Sequence, residues 1–301
     1  MKRIGFIGAA MAVCLSLAAS LAQAAVTSGM TQRAHLRYSS RPSLNDPALR
    51  SSAALVLDLT NSSVLYSRHS DVAAPIASIT KLMTALVVME AGQPLDEMLA
   101  VTVDDRSFGK GSSSRLSPGA QLSRGDLMHL ALMASENRAA HALGRNYPGG
   151  VAACVVAMNA KAHQLGMTTA HFVEPTGLSD ENVASPEDLS KLVIAAAKVA
   201  EIREYSTDSD FTVQVGRHMV RYRNTDSLVS KADWNIVVQK TGYIHEAGRC
   251  LVMQTVIEDR PVVIVLLNSY GKRTRVADAR RVRRWVEATL VAHDTATAAT
   301  T

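Results

Sequence analysis

The stretch PIASITKLMTALVVMEAG, residues 75–92, decides how the rest of the sequence is interpreted. Its apolar residues recur with helical spacing, and Gly92 stands just beyond a predicted helix from Ile76 to Ala91. Ser78 and Lys81 lie three positions apart near the start of that helix, so their side chains share one face. A serine hydroxyl is a weak nucleophile until a neighbouring base takes its proton, and a neutral lysine can be that base. The stretch therefore predicts a serine nucleophile with a lysine base.

Two further triplets follow along the chain. Ser135-Glu136-Asn137 lies between two predicted helical stretches, and Lys240-Thr241-Gly242 ends a β-prone run. Each of the three patterns is common by chance when taken alone. Their order, Ser-x-x-Lys, Ser-x-Asn, Lys-Thr-Gly, in helix, loop and strand contexts, is the signature of penicillin-binding proteins and serine β-lactamases.

From about Ala53 to Glu287 the chain resembles the low-molecular-mass penicillin-binding proteins, the D-alanyl-D-alanine peptidase family. Within that family it is most similar to the D-alanyl-D-alanine endopeptidase branch. The likeness includes FVEPTGL (172–178) and KTGYIHEAGRCLV (240–252). The resemblance implies an α/β fold of the α+β type, similar to β-lactamases and transpeptidases. It also implies peptidoglycan peptides as substrates and β-lactam antibiotics as acylating inhibitors.

The resemblance implies a role for each polar residue of the motifs. Ser78 would attack the carbonyl of a D-Ala residue, and Lys81 would accept the Ser78 proton. Ser135 would pass a proton to the leaving amine, and Asn137 would hold Lys81 and the substrate amide. Lys240 would contact the substrate and keep Lys81 neutral by repulsion between like charges.

The resemblance also implies how the substrate is held. The backbone N–H groups of Ser78 and Tyr243 would form the oxyanion hole. Thr241 and Arg223 would bind a substrate carboxylate, to which a guanidinium donates two parallel hydrogen bonds. Gly242 would leave room for the substrate to pair against the strand edge.

The chain around the motifs predicts one antiparallel sheet with an inserted helical lobe. Ala53–Asp58 and Ser63–Ser67 have the pattern of a β-hairpin. In the last third, β-branched runs at 236–239, 250–257 and 262–268 precede a helix predicted from Val276 to Val291. Ser123 with Asp126, and the run from Ser185 to Asp188, predict helix starts.

The termini have a different character. Lys2 and Arg3, a short apolar run and Ala22-Gln23-Ala24 are typical of a cleaved signal peptide, residues 1–24. We therefore expect a periplasmic protein without a stable membrane anchor. Residues 25–50 are predicted to be a polar lead-in, 51–291 the peptidase domain and 292–301 a disordered tail.

Composition and spacing argue against several other functions. The chain has 32 basic and 27 acidic residues; the predicted signal peptide holds two of the basic ones, which leaves a net charge of +3. No basic run is interleaved with aromatic residues, so nucleic-acid binding is not expected. The nine histidines show no zinc-peptidase spacing, and neither a metal nor another cofactor is expected. Cys154 and Cys250 lie in apolar stretches and are predicted to be buried thiols.

The residues leave some alternatives open. Glu136 occupies a position where the carboxypeptidases of the family usually carry glycine, which together with the 240–252 segment favours an endopeptidase acting on D-Ala-diaminopimelate cross-bridges. A D-Ala-D-Ala carboxypeptidase is the first alternative, a serine β-lactamase the second, and a non-catalytic penicillin-binding sensor or scaffold the third. Arg249, which follows the Lys-Thr-Gly triplet on the next predicted strand, is a second candidate for the substrate carboxylate after Arg223, but it is interpreted as a surface residue of a strand edge.

Overall fold

A computed structural model describes residues 46–105 and 114–298, with side chains as far as residue 289. The predicted signal peptide and most of the lead-in lie outside the described residues, so both stay predictions.

The strands, in chain order, are β1 (Ser51–Asp58), β2 (Ser63–Arg68), β3 (Ala74–Pro75), β4 (Met98–Ala100), β5 (Gln121–Ser123), β6 (Val183–Ala184), β7 (Asp210–Val215), β8 (His218–Arg223), β9 (Asn235–Ile244), β10 (Gly248–Ile257) and β11 (Arg260–Ser269). The helices are α1 (Thr80–Glu90), α2 (Arg124–Met133), α3 (Asn137–Arg145), α4 (Gly150–Gln164), α5 (Pro186–Ala196), α6 (Ala200–Thr207) and α7 (Thr274–Ala298).

The central sheet has five antiparallel strands in the order β2-β1-β11-β10-β9. The hairpin β1–β2 thus joins the C-terminal strands through the pairing of β1 with β11, for example Val56 with Ile264. Side chains alternate between the two faces of a strand. Leu55 accordingly packs into the core shared with the helical lobe, and Val56 packs into the core under α7. The predicted sheet closed by N- and C-terminal segments is confirmed.

The helical lobe lies between β2 and β9 in the chain, and two of its helices begin at the predicted caps. The Ser123 hydroxyl accepts a hydrogen bond from the Asp126 N–H at 3.0 Å, which starts α2. The Ser185 hydroxyl accepts one from the Asp188 N–H at 3.2 Å, which starts α5. Each cap satisfies a backbone donor that has no partner inside its helix.

Three features differ from the sequence-based expectation. The sequence predicts that the helix after Ser185 runs to about Val199, but it ends at Ala196, and α6 begins at Ala200. The hairpin β7–β8 was not predicted, and Arg223 is the last residue of its second strand. The backbone of α7 continues to Ala298, so the described part of the expected disordered tail is helical. Alanine has the highest helix propensity, which lets the Ala/Thr-rich segment extend the helix.

Within the part of the chain that the structure describes, no helix combines the length and apolar character needed to cross a bilayer.

Candidate active site

Ser78 lies in a short 3₁₀ turn, Ala77–Ile79, that leads directly into α1. Two glycines from distant parts of the chain pack against this turn. A methyl group on Gly177 would lie 2.0 Å from the Ala77 carbonyl oxygen, and one on Gly242 would lie 2.9 Å from the Ile76 carbonyl oxygen. Both distances are shorter than van der Waals contact. Only glycine therefore lets these two segments close on the backbone of the nucleophile.

Lys81 projects from the first turn of α1 and is only 1% exposed. Its Nζ lies 2.9 Å from Ser78 Oγ, 2.7 Å from Asn137 Oδ1 and 2.6 Å from the carbonyl oxygen of Thr176. A carbonyl oxygen and an amide oxygen can only accept hydrogen bonds, whereas a hydroxyl can donate as well. The three neighbours can all accept from an ammonium, and they equally suit a neutral amine that donates two N–H groups and turns its lone pair toward Ser78.

Burial increases the fraction of Lys81 in that neutral form. Burial lowers the pKa of Lys81 to about 8, while the negative charges of Glu174 and Glu136 act in the opposite direction. Burial also lowers the pKa of Lys240 well below its usual range, and repulsion from Lys81 and Arg275 lowers it further. Burial is thus the main cause at both lysines. The repulsion that the sequence led us to expect at Lys81 affects the pKa of Lys240 instead.

Ser135 and Asn137 lie between α2 and α3. Ser135 has a positive φ of 60°, an uncommon conformation for a residue with a side chain. The next residue, Glu136, returns its N–H to the carbonyl of Leu130 on α2. Asn137 then begins α3 and points its amide oxygen at Lys81. The tight turn thus brings the second motif to the first.

The third motif lies on β9, an edge strand of the sheet. Lys240 is fully buried, and its Nζ donates to the carbonyl of Thr241 at 3.0 Å. Thr241 Oγ1 lies 2.5 Å from Thr225 Oγ1. The methyl group that Gly242 lacks would also lie 3.2 Å from the Ser78 nitrogen. The end of β9 is therefore beside the nucleophile, as the sequence predicted.

Arg223 ends β8, opposite Asp210, and is exposed. Its charge contributes to lowering the pKa of Asp210, whose main partner is Arg221. Thr225, two residues later, carries the hydroxyl that meets Thr241. Arg223 is thus two residues from Thr225, which contacts the third motif, but among the described residues no hydrogen bond or ion pair joins the Arg223 side chain to that motif.

Sequence reasoning missed two charged residues behind β9. Arg275, in the first turn of α7, donates to the carbonyl oxygens of Gly242 at 2.8 Å and Cys250 at 3.3 Å. Burial lowers its pKa. Asp226 is buried after β8 and accepts a hydrogen bond from the Leu228 N–H, and burial raises its pKa. No local sequence pattern marks either residue, because the contacts of Arg275 span 33 and 25 positions.

The FVEPTGL segment is held by the carboxylate of Glu174. This carboxylate accepts hydrogen bonds from the N–H groups of Thr176 at 2.6 Å, Gly177 at 2.5 Å and Leu178 at 2.9 Å. Asn182 Nδ2 donates to it as well, at 2.9 Å. The loop is thus locked with the Thr176 carbonyl on Lys81. The Glu174 carboxylate is hydrogen-bonded to N–H groups of its own loop, so it is not directed at a water molecule beside Ser78.

Glu136, the residue inside Ser-x-Asn, is only 7% exposed. Its carboxylate accepts one hydrogen bond, from the Arg138 N–H at 3.3 Å, at the start of α3. It also acts electrostatically on both Lys81 and Tyr222. Glu136 therefore adds negative charge to the wall of the site.

Cys154 and Cys250 are free and buried, as predicted. Burial raises the pKa of Cys154 to about 12 and that of Cys250 to about 11, so both are unreactive thiols. Across residues 46–105 and 114–298, no group of three or more His, Cys, Asp and Glu side chains could hold a metal ion.

A serine at the start of a buried helix, a lysine against its hydroxyl and an edge strand bearing Lys-Thr-Gly define a serine acyl-transferase of the penicillin-binding class. The chain belongs to the D-alanyl-D-alanine carboxypeptidase family of peptidases, whose profile matches residues 40–271. It is therefore a serine-type hydrolase, and the predicted family and enzyme class are confirmed.

Relatives of known name and fold agree with that assignment. The chain is 50% identical over 242 residues to a D-alanyl-D-alanine endopeptidase of Pseudomonas aeruginosa, covering 79% of this chain and 78% of the relative. It is 46% identical to the D-alanyl-D-alanine endopeptidase of Escherichia coli, covering 81% and 79%. The fold is similar to that of a Streptomyces DD-transpeptidase, with a TM-score of 0.75 at 24% identity over 83% of this chain and all of that chain. The predicted fold class is thereby confirmed.

Proposed function

We propose that this protein hydrolyses D-alanyl peptide bonds in peptidoglycan through an acyl-enzyme, and that it acts as an endopeptidase on D-Ala-diaminopimelate cross-bridges. The observation that carries the proposal is the placement of Lys81 Nζ between one hydroxyl, Ser78 Oγ, and two atoms that can only accept. This is the arrangement that a neutral base for a serine nucleophile requires.

Acylation follows from these positions. The Ser78 hydroxyl gives its proton to Lys81 as its oxygen attacks the D-Ala carbonyl. The negative charge that develops on the carbonyl oxygen is stabilised by the N–H groups of Ser78 and Tyr243. Ser135 passes the proton that Lys81 received on to the departing amine, which leaves an ester between the D-alanyl group and Ser78. Water then hydrolyses this ester and restores the free hydroxyl.

Two observations support the endopeptidase reaction over release of a terminal D-Ala. The two relatives described above are named D-alanyl-D-alanine endopeptidases, whereas a D-alanyl-D-alanine carboxypeptidase of Bacillus subtilis is only 26% identical. The second observation is the buried carboxylate of Glu136 beside Asn137. A diamino acid leaving group is bulkier than a terminal D-Ala, and Glu136 lies in the wall of the site that this group must pass.

The same proposal places the protein in the periplasm, where its substrate lies. This part depends on the signal-peptide pattern of residues 1–24. The β-lactamase alternative is disfavoured because the Glu174 carboxylate is already occupied by loop N–H groups.

The reaction is tested by digesting purified muropeptides with the mature protein. We expect cross-linked dimers to fall to monomers faster than pentapeptides lose their terminal D-Ala. If the enzyme removes the terminal D-Ala of pentapeptides readily and leaves cross-linked dimers whole, it is a carboxypeptidase and the endopeptidase proposal is wrong. Rapid release of hydrolysed penicillin would instead indicate a β-lactamase, and neither acylation nor turnover would indicate a sensor or scaffold.

A further inference from the structure

The positive charge of the protein is concentrated in one segment, residues 272–289. The segment comprises the part of α7 whose side chains the structure describes and the two residues before that helix. It holds seven basic and two acidic residues, an excess of five, which equals the net charge of +5 of the whole chain. The rest of the chain, taken together, therefore has no net charge, and the excess belongs to α7.

Three of the seven basic side chains have partners within the fold. Arg281 pairs with Asp278 at 2.6 Å, and Arg283 pairs with Glu287 at 2.7 Å. Arg275 donates to the backbone carbonyls behind β9 that are described above. Both acids of the segment are thus already paired with arginines.

The other four basic side chains are exposed and form no ion pair or hydrogen bond with any residue that the structure describes: Lys272, Arg273, Arg280 and Arg284. Asp233, an acid from outside the segment, pairs with Arg283 at 3.1 Å and not with these four. Positions 273, 280 and 284 are seven and four apart, so they lie along one side of the helix over a length of about 16 Å. These three arginines, the α7 basic stripe, form a row of guanidinium groups available to an anionic partner.

The α7 basic stripe lies outside the cleft that holds the nucleophile. The buried side of α7, which includes Ala279 and Val282, packs into the core on one face of the central sheet. Leu82 of α1, the helix that follows Ser78, packs into the core on the other face. An anion bound to the stripe is therefore a different group from the peptide that Ser78 attacks.

The exposed side of α7 carries charge without large apolar side chains. As far as residue 289, the large apolar residues of the helix all pack toward the core: Val276, Val282, Trp285 and Val286. A helix that lies in the surface of a membrane carries residues such as Trp, Phe or Leu on its outer side, where they enter the lipid. The stripe is therefore better suited to an anionic polymer than to a lipid surface.

We propose that the α7 basic stripe binds carboxylates of the peptidoglycan sacculus at a distance from the cross-bridge being cleaved, and so holds the enzyme on its polymeric substrate. The proposal rests on the proposed function for the identity of the polymer. The stem peptides of peptidoglycan carry free carboxylates, so the sacculus repeats the anionic group that the stripe can bind. One exposed ion pair contributes little, but several contacts with one polymer act together and raise the local concentration of bonds to be cleaved.

The experiment measures cosedimentation of the mature protein with purified sacculi, in a Ser78→Ala background so that the sacculi are not digested. We expect binding at low salt that weakens as the salt concentration rises, because exposed charges are screened. Arg280→Gln/Arg284→Gln removes two of the three charges of the stripe and should weaken binding by at least about threefold. Sacculi whose carboxylates have been converted to amides should bind the parent and this double variant equally weakly.

The matched control is Lys198→Gln/Arg217→Gln, which also removes two exposed positive charges but lies outside α7. It should bind sacculi as tightly as the parent, and the melting temperature of each variant checks its fold. If Arg280→Gln/Arg284→Gln binds sacculi as tightly as this control, the proposal is wrong. Sedimentation with vesicles of anionic phospholipid but not with sacculi would also overturn it and would indicate a lipid-binding surface.

Activity provides a second measurement. With Ser78 restored, Arg280→Gln/Arg284→Gln should cleave soluble cross-linked dimers at the rate of the wild type but cleave intact sacculi at least about threefold more slowly at low salt. Equal rates on sacculi would refute a role of the stripe in holding the polymer. Failure of the proposed function is distinguishable, because a wild type that leaves dimers whole refutes the endopeptidase reaction, whereas cosedimentation still tests the stripe.

Discussion

Lys81 Nζ lies 2.9 Å from Ser78 Oγ, and its other two hydrogen-bond partners, Asn137 Oδ1 and the Thr176 carbonyl, can only accept. A protonated lysine would donate to all three atoms and have no lone pair for the serine proton. A neutral amine donates to the two obligate acceptors and receives the Ser78 proton. The distances allow Ser78 to give its proton to the neutral amine, and burial, which lowers the pKa of Lys81 to about 8, increases the neutral fraction.

Replacing Ser78 with alanine should abolish covalent labelling by a fluorescent penicillin, because the nucleophilic oxygen is removed. The melting temperature should change little, since one hydroxyl is lost from a helix start. Ser227→Ala, an exposed serine in another turn, is the matched control and should label normally. Labelling of Ser78→Ala at the rate of the wild type would mean that another residue is acylated.

Replacing Lys81 with alanine should slow acylation by about 10² to 10⁴, the usual contribution of positioned proton transfer. The rate is measured by stopped-flow or gel-based labelling with excess penicillin. Lys231→Ala removes an exposed lysine and should leave the rate unchanged. A loss below tenfold in Lys81→Ala would show that another group accepts the Ser78 proton.

The acylation rate should depend on pH through Lys81. The lysine must be neutral to accept a proton, and its pKa is about 8, so the reactive fraction grows as the pH rises through that value. We expect the rate to rise about tenfold from pH 7 to pH 9 and to level off above that range. A profile that is flat between pH 6 and pH 9 contradicts a depressed lysine pKa.

Replacing Gly177 with alanine should damage the site as well as the fold. The new methyl group would overlap the carbonyl of Ala77, and the positive φ of 80° adds strain of about 1 kcal/mol or more. Gly216→Ala carries a similar backbone penalty at φ 60°, with no atom within 4 Å of the new methyl group. Both variants should lower the melting temperature, but only Gly177→Ala should slow penicillin labelling strongly. Equal labelling rates would mean that the Ala77–Ile79 turn tolerates displacement.

The buried carboxylate of Asp105 should make stability depend on acid. It accepts hydrogen bonds from His141 and Arg145, and these contacts hold its pKa at about 2 against burial, which alone would raise it. A lowered pKa contributes stability above the unfolded value of about 3.8 and loses it as the pH falls toward 2. The ionised group thus contributes about 2 kcal/mol at pH 7.

Urea unfolding of Asp105→Asn should therefore show a deficit of about that size at pH 7, shrinking as the pH approaches 2. Asp104→Asn, at the exposed neighbouring position, should show no such trend. A deficit that does not depend on pH would mean that the carboxylate acts through packing alone.

Much of the site was predictable because its chemistry is local or periodic. Ser78 and Lys81 are one helical turn apart, and Ser123 and Ser185 carry recognisable capping patterns, so short windows of sequence contain the signal. The strand β7 alternates apolar and polar residues, with Val213 and Val215 on either side of Gln214. The hairpin was still not predicted, because its second strand, β8, is rich in charged residues.

Other features were not predictable, because they are set by tertiary contacts. Arg275 reaches the Gly242 carbonyl across 33 positions, and nothing around it in the sequence indicates that contact. The stacking of Arg249 on Tyr243 depends on the register of β9 and β10, which the turn between them fixes only once the hairpin is formed. The main cause of the lowered Lys81 pKa is burial, and burial is a property of the packed core.

The nucleophile turn at residues 77–79 is held between Gly177 and Gly242, which come from segments about a hundred and more positions further along the chain. A partly synthesised or partly folded chain lacks one or both of these supports, so the orientation of Ser78 toward Lys81 is not fixed. Acylation of Ser78 by a penicillin therefore shows that β9 and the segment around Gly177 have packed against this turn. If the antibiotic is added at different times during refolding, the amount of acylated protein measures how many molecules have completed this packing.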